Sequence, residues 1–147
     1  MNKAGERRKQ SYRNFEELAA HSPFLRQWEI ECAGEGGGEA LLRMTVRESH
    51  LNSVGIVHGG VIASLADSAC GIALLSAIRK GSGFVTTSLN IDYIGSPKGG
   101  VLEARARVRA VRKRAAFVGA EVLDDLGTLL ASATVVFYIS SAEGDNV

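Results

Sequence analysis

The sequence predicts an α+β domain in which one long apolar helix is wrapped by a curved antiparallel sheet. Three observations carry this. Residues 59–78 form a nearly continuous apolar run of helical length. The segments on either side alternate apolar and polar residues with the period of strands. Their order is strand, strand, helix and then a meander of strands, without the regular strand–helix alternation of a doubly wound sheet. The 147 residues suit a single domain.

The elements follow in order. Residues 1–13 read as a mobile tail with Arg7, Arg8, Lys9 and Arg13 solvated. Asn14 is a good N-cap for a short helix through Phe15, Leu18 and Ala19, which Ser22-Pro23 is expected to stop. Residues 28–32 set Trp28, Ile30 and Cys32 against Glu29 and Glu31, predicting a strand. A glycine-rich turn over 34–38 leads to a returning strand over 39–46, and residues 47–56 are irregular. The central helix is expected from Gly59 to about Arg79, where Arg79-Lys80-Gly81 supplies basic residues and then glycine as a stop. Residues 85–94 form the next strand, with Val85, Thr87, Leu89, Ile91 and Tyr93 on one face and Thr86, Ser88, Asn90 and Asp92 on the other. Strands over 102–111, 116–123 and 129–139 complete the meander, and 140–147 is a polar tail.

Composition excludes several classes. A net charge of +1 gives no push toward nucleic acid or a membrane surface. Arg105, Arg107 and Arg109 share a strand face, but no aromatic residues interleave with them, so nucleic acid is not expected. Cys32 and Cys70 lack metal or redox spacing, and His21 and His50 lack ligand partners, so no metal or cofactor is expected. Two isolated cysteines suit a reducing cytoplasm. Residues 1–13 hold no apolar run, so no signal peptide is expected. Residues 59–78 could span a bilayer by length, but Asp67 would then sit near its centre at a cost of about 3 kcal/mol.

The central helix is the chemically suggestive element. Val61, Ile62, Leu65, Ala69, Ile72, Ala73, Leu75 and Ile78 cover most of its circumference, so it is buried on several sides. It nevertheless carries Asp67, and a carboxylate there needs partners or a task. Gly59 and Gly60 open it, letting another group approach the backbone at a helix end that favours negative charge.

Asn52, Gly55, the block His58-Gly59-Gly60, Leu65, Asp67 and Gly71, with Asn90-Ile91-Asp92-Tyr93 and Ser96-Pro97 beyond them, resemble the hotdog-fold thioesterases. The likeness is to the phenylacetate-degradation (PaaI-like) branch of acyl-CoA thioesterases, and it covers roughly residues 25–140. It implies the hotdog fold, edge-to-edge homodimers that often pair again into homotetramers, and active sites at the dimer interface. One chain would supply the loop and helix start, the other the acid. By the same resemblance the Gly59 N–H would hold the thioester carbonyl oxygen, and Asn52 would position that carbonyl or the water. Asp67 would act as general base or nucleophile, Thr86 would orient the water or the acid, and His58 would fix the turn and line the site. A strand bulge could exchange the roles of Thr86 and Thr87. Lys98, Arg112 and Arg114 are candidates to meet the coenzyme A phosphates, since arginine matches phosphate by its fork geometry. The implied activity is hydrolysis of an aryl-, arylacetyl- or medium-chain acyl-CoA, with coenzyme A as part of the substrate. Fold does not fix function, so a non-catalytic acyl-CoA or lipid-ligand binder and an acyl-thioester dehydratase stand beside it.

Overall fold

The computed structural model describes residues 12–141. The expected mobility of the two tails falls mostly outside them, although Tyr12 stacks on His21 and Arg13 pairs with Glu17. Two short helices open the fold, α1 (Phe15–Ala20) and α2 (Pro23–Gln27). Strands β1 (Glu31–Gly36) and β2 (Glu39–Thr45) form a hairpin, and a short 3₁₀ turn (Glu48–His50) precedes the long helix α3 (Gly59–Leu75). Strands β3 (Gly83–Tyr93), β4 (Val101–Arg112), β5 (Ala115–Leu123) and β6 (Leu129–Ser140) complete the chain. All strand pairs are antiparallel, in the order β1-β2-β4-β5-β6-β3. The sheet curls around α3, whose Leu65, Ala69 and Leu74 are fully buried with Leu42, Leu102, Val118 and Val135 of the strands. This is the α+β arrangement that the apolar helix and alternating strands predict.

Three local expectations are corrected and one is extended. The first helix does end before Ser22-Pro23, at Ala20, but the same pair also begins a second helix that the sequence reading did not expect. Ser22 caps α2 by accepting from the Leu25 N–H, and Pro23 occupies the first turn, where its missing N–H costs nothing. Residues 28–30 are not a strand, because they close α2. The Glu29 N–H bonds the Arg26 carbonyl, the Ile30 N–H bonds the Leu25 carbonyl, and Glu29 takes a positive φ of 50°. These are the bonds of a Schellman ending, so β1 starts later and takes in Gly34 and Gly36.

The helix α3 stops at Leu75, short of Arg79. The Ser76 hydroxyl donates to the Ala73 carbonyl and accepts from the Gly38 N–H, tying the helix end to the β1–β2 turn. Finally, β3 does not keep one alternation. Thr86 pairs with Phe137 and Ser88 with Val136, leaving Thr87 as a bulge. Phe84 therefore packs inward on one side of the bulge and Leu89 and Ile91 on the other, while Val85 is 61% exposed.

Candidate active site

Asp67 lies in the middle of α3, half-buried, one turn before Gly71. Thr86 approaches it from β3 and donates its hydroxyl hydrogen to Asp67 Oδ1 at 2.8 Å. The bulge makes this possible, and Thr87 instead turns its hydroxyl to the Val136 carbonyl at 3.1 Å. Burial pushes the Asp67 carboxyl above the ordinary carboxylate range, and the Thr86 hydrogen bond partly opposes that by favouring the ionised form. A carboxylate in this setting is ionisable and basic for its type.

A cavity of about 190 Å³ opens beside this pair. Its walls are mainly apolar and include Leu25, Gly71, Ile72, Phe84 and Phe137. The two short helices roof it through Leu18, Ser22 and Phe24.

The start of α3 forms the second part of the site. His58 is its N-cap, and Nδ1 accepts from the Gly60 N–H at 2.9 Å, so the ring proton resides on Nε2. The His58 N–H bonds the carbonyl of His50, whose buried ring accepts from the Arg47 N–H and lies 5.6 Å from the Trp28 ring. His50 thus anchors the loop that presents His58, and burial, then the nearby Arg47 charge, holds its pKa below the ordinary value. Gly59 is the first residue of α3, where an N–H has no carbonyl of its own helix to bond. Tyr93 donates to the Gly59 carbonyl at 2.7 Å, and its ring lies where a Gly59 Cβ would come within 3.2 Å. A side chain at this position would press on the Tyr93 ring, which would have to give by a few tenths of an ångström. The Asn52 carboxamide oxygen accepts from the Val54 and Ile56 N–H groups, so its oxygen holds the loop and its amide remains to donate.

The structure brings Asp67 to Thr86, and His58 to Gly59 and the Asn52 loop, but it keeps these two groups apart. Eight residues of helix separate Gly59 from Asp67, about 12 Å at 1.5 Å per residue. It also separates the basic candidates. Lys98 precedes β4 while Arg112 ends it and Arg114 follows, so the length of the strand, roughly 36 Å, lies between them. They cannot meet one phosphate within a single chain. Arg114 instead donates to the Tyr138 hydroxyl at 3.1 Å and lines a cleft with Lys113 and Ser82. Among the described residues no group of three or more His, Cys, Asp or Glu side chains could hold a metal ion, and no helix is long and apolar enough to cross a membrane. Sequence reasoning missed the roles of Tyr93 and His50. Both form bonds to backbone distant in sequence, which residue spacing does not reveal.

Comparison with known proteins agrees with this geometry. The thioesterase superfamily profile matches residues 54–131, which include His58, Gly59, Asp67, Thr86 and Tyr93. A Pseudomonas aeruginosa protein named as an esterase is 31% identical over 109 residues, covering 74% of this chain and 81% of its own length. Human acyl-coenzyme A thioesterase 13 is 33% identical over 86 residues, 58% of this chain and 55% of that protein. A mutant of the phenylacetic acid degradation protein PaaI from Thermus thermophilus superimposes with a TM-score of 0.73 at 30% identity, over 80% of this chain and 98% of that one. The acid on an apolar helix, the glycine at its start and the wrapped sheet thus have one common source: the chain belongs to the thioesterase superfamily, in its hotdog-fold, PaaI-like branch, and is a thioester hydrolase.

Proposed function

We propose that this protein hydrolyses acyl-CoA thioesters at sites shared between two copies of the chain. The observation that carries this is the separation of about 12 Å between Gly59 and Asp67 on one helix, too long for both to act on one carbonyl. β3 lies at the sheet edge, with Val85, Tyr93 and Ile94 exposed along it. Such an edge invites pairing. Tyr93, at one end of β3, bonds Gly59, and Thr86, near the other end, bonds Asp67. Antiparallel pairing of β3 with its copy would therefore set Gly59 of one chain beside Asp67 of the other. Dimers of this kind pairing again would form a tetramer.

In each such site the Gly59 N–H receives the thioester carbonyl oxygen, where negative charge develops during attack. His58 fixes the turn, and Asn52 sits in the loop that leads into it, with its amide free of the bonds its oxygen makes. Asp67, with Oδ1 held by Thr86, uses Oδ2. It takes a proton from a water that attacks the carbonyl carbon, or attacks that carbon itself to form an anhydride that water then opens. By either route the C–S bond breaks, coenzyme A leaves as its thiolate, and water supplies the oxygen of the free acid. The cavity at Asp67 receives the acyl group, and its size and apolar lining suit aryl, arylacetyl or medium-chain groups. The same pairing would bring Lys98 of one copy toward Arg112 and Arg114 of the other, reuniting the basic residues around the coenzyme A phosphates. The reaction needs no metal or cofactor, and the two free thiols, Cys32 and Cys70, suit a reducing cytoplasm.

Two experiments test this. Free-thiol release from an acyl-CoA panel should exceed background for aryl or medium-chain members, and no release from any member by folded protein would overturn the reading. The second mixes two inactive variants. Asp67→Asn removes the acid. Gly59→Pro removes the N–H at a helix position that tolerates proline, and His58 already has the extended backbone, φ −59° and ψ 135°, that precedes proline comfortably. After subunit exchange, mixed dimers carry one intact site, so about a quarter of wild-type activity should return for a two-fold symmetric dimer. No recovery in exchanged dimers would mean that the two residues serve the same chain's site.

A further inference from the structure

Two cavities lie in succession along one face of α3. The first, about 190 Å³, opens at Asp67 and Thr86 and runs past Gly71 and Ile72. The second, about 270 Å³, lies farther along, beside Leu75, and is lined also by Tyr12, His21 and Pro23. Three side chains line both cavities: Leu18, Ser22 and Phe84. They are the partition between them, and Phe84 is its largest member.

The position of the Phe84 ring follows from the strand and helix periods. Phe84 precedes Thr86 by two residues on the same face of β3, and Gly71 follows Asp67 by one helical turn. The pair Gly71–Phe84 is thus the next rung beyond the pair Asp67–Thr86. Gly71 has no side chain, and a Cβ there would lie 3.3 Å from Phe84 Cε2. The ring therefore rests directly on the helix. Phe137 holds it from the other side by an edge contact, with centroids 5.6 Å apart and planes at 83°. A ring clamped between a helix and a neighbouring aromatic is a firm wall.

We propose that Phe84 sets the length of acyl group this protein accepts, acting as the end wall of the acyl cavity. This rests on the reading of the Asp67 cavity as the acyl site. An apolar cavity of about 150 Å³ accommodates benzene, so the first cavity holds one aromatic ring or an aliphatic group of similar bulk. A longer linear chain would have to pass the Phe84 ring to reach the second cavity. The favoured substrates are thioesters of compact acyl groups, up to about the length of hexanoyl, and chains as long as dodecanoyl are excluded by the partition. Leu18, on α1, lines both cavities and is the second apolar member of the partition.

The test compares phenylacetyl-, hexanoyl- and dodecanoyl-CoA with wild type, Phe84→Ala and Leu18→Ala, by free-thiol release. The readout is the ratio of kcat/KM for dodecanoyl- over hexanoyl-CoA within one sample, which the fraction of folded protein does not alter. Wild type should favour the shorter acyl groups. Phe84→Ala should raise the ratio by about tenfold or more, as expected when a hydrophobic pocket gains room for several methylenes, and Leu18→Ala should raise it less. Phe84→Leu, which keeps a core-sized apolar side chain, replaces Phe84→Ala should that variant not fold. A wild type that prefers dodecanoyl-CoA, or a ratio unchanged in active Phe84 and Leu18 variants, would overturn the assignment while leaving the thioesterase reading intact. A wild type that releases thiol from no member overturns both.

Discussion

Thr86 donates a hydrogen bond to Asp67 across the gap between the edge strand and the central helix, at 2.8 Å. Burial and this bond act in opposite directions on the acid, so removing the bond should change how the enzyme responds to pH. Thr86→Val deletes the donor and leaves burial in place. The apparent pKa of Asp67 should rise further, moving the acid limb of the kcat/KM profile to higher pH. The loss of activity should be greater at pH 5 than at pH 8, and Thr86→Ser should restore the profile. A uniform loss at all pH values would mean that the hydroxyl serves the water or the substrate instead.

Asp67→Asn should lower turnover by about 10²–10⁴-fold, the usual worth of a positioned base, while leaving the circular dichroism spectrum unchanged. It should also stabilise the fold at neutral pH. The folded-state pKa lies above the unfolded one, so the cost of the buried carboxylate is present in full above the folded pKa and vanishes below the unfolded pKa. Urea unfolding should therefore show the variant ahead of wild type at pH 8, with the difference closing as the pH falls toward 3.

Tyr93→Phe keeps the ring against Gly59 but removes the hydrogen bond to its carbonyl. A net hydrogen bond contributes about 0.5–1.5 kcal/mol, so kcat should fall by a few-fold to about tenfold. KM should change little, because the bond steadies Gly59 from its carbonyl side while the oxyanion donor is the N–H of the same residue. A large rise in KM with constant kcat would place Tyr93 in substrate binding instead.

His50 should make stability fall in mild acid. Its folded-state pKa is lowered, mainly by burial, so the unfolded chain binds the proton first. The stability from keeping this ring neutral is present above the unfolded value, about 6.5, and declines as pH drops through it. His50→Asn supplies a carboxamide oxygen to accept from the Arg47 N–H without titrating there. Comparison of melting temperatures at pH 7.5 and 5.5 should show a smaller drop for the variant.

Much of this was legible in the residues. The all-round apolar helix and the strand order specified the wrapped sheet, because few other arrangements bury those faces. His58-Gly59-Gly60 and Asp67 stood out by the cost of placing them there. Elsewhere local patterns misled. Alternation at residues 28–32 looked like a strand because periodicity carries no information on the hydrogen bonds that close a preceding helix. Proline after Ser22 did mark the end of one helix, but its equal fitness for a helix start went unread. The partners of Tyr93, His50 and Phe84 depend on how β3 and the loops lie over α3, and no local spacing encodes that. Lys98 and Arg114 looked like one basic group until the length of β4 came between them.

The bulge at Thr87 divides β3 into two half-strands of opposite phase. Before it, Phe84 and Thr86 face the helix; after it, Leu89 and Ile91 do. Deleting Thr87 would restore a single phase, and one half would have to turn over. Either the acid would lose its hydroxyl partner and the cavity its end wall, or the core would lose Leu89 and Ile91. Insertions and deletions of one residue should therefore be far less tolerated between positions 84 and 89 than in the loop that follows Tyr93. Thr87, which touches neither the acid nor the core, keeps the two halves of the strand in step.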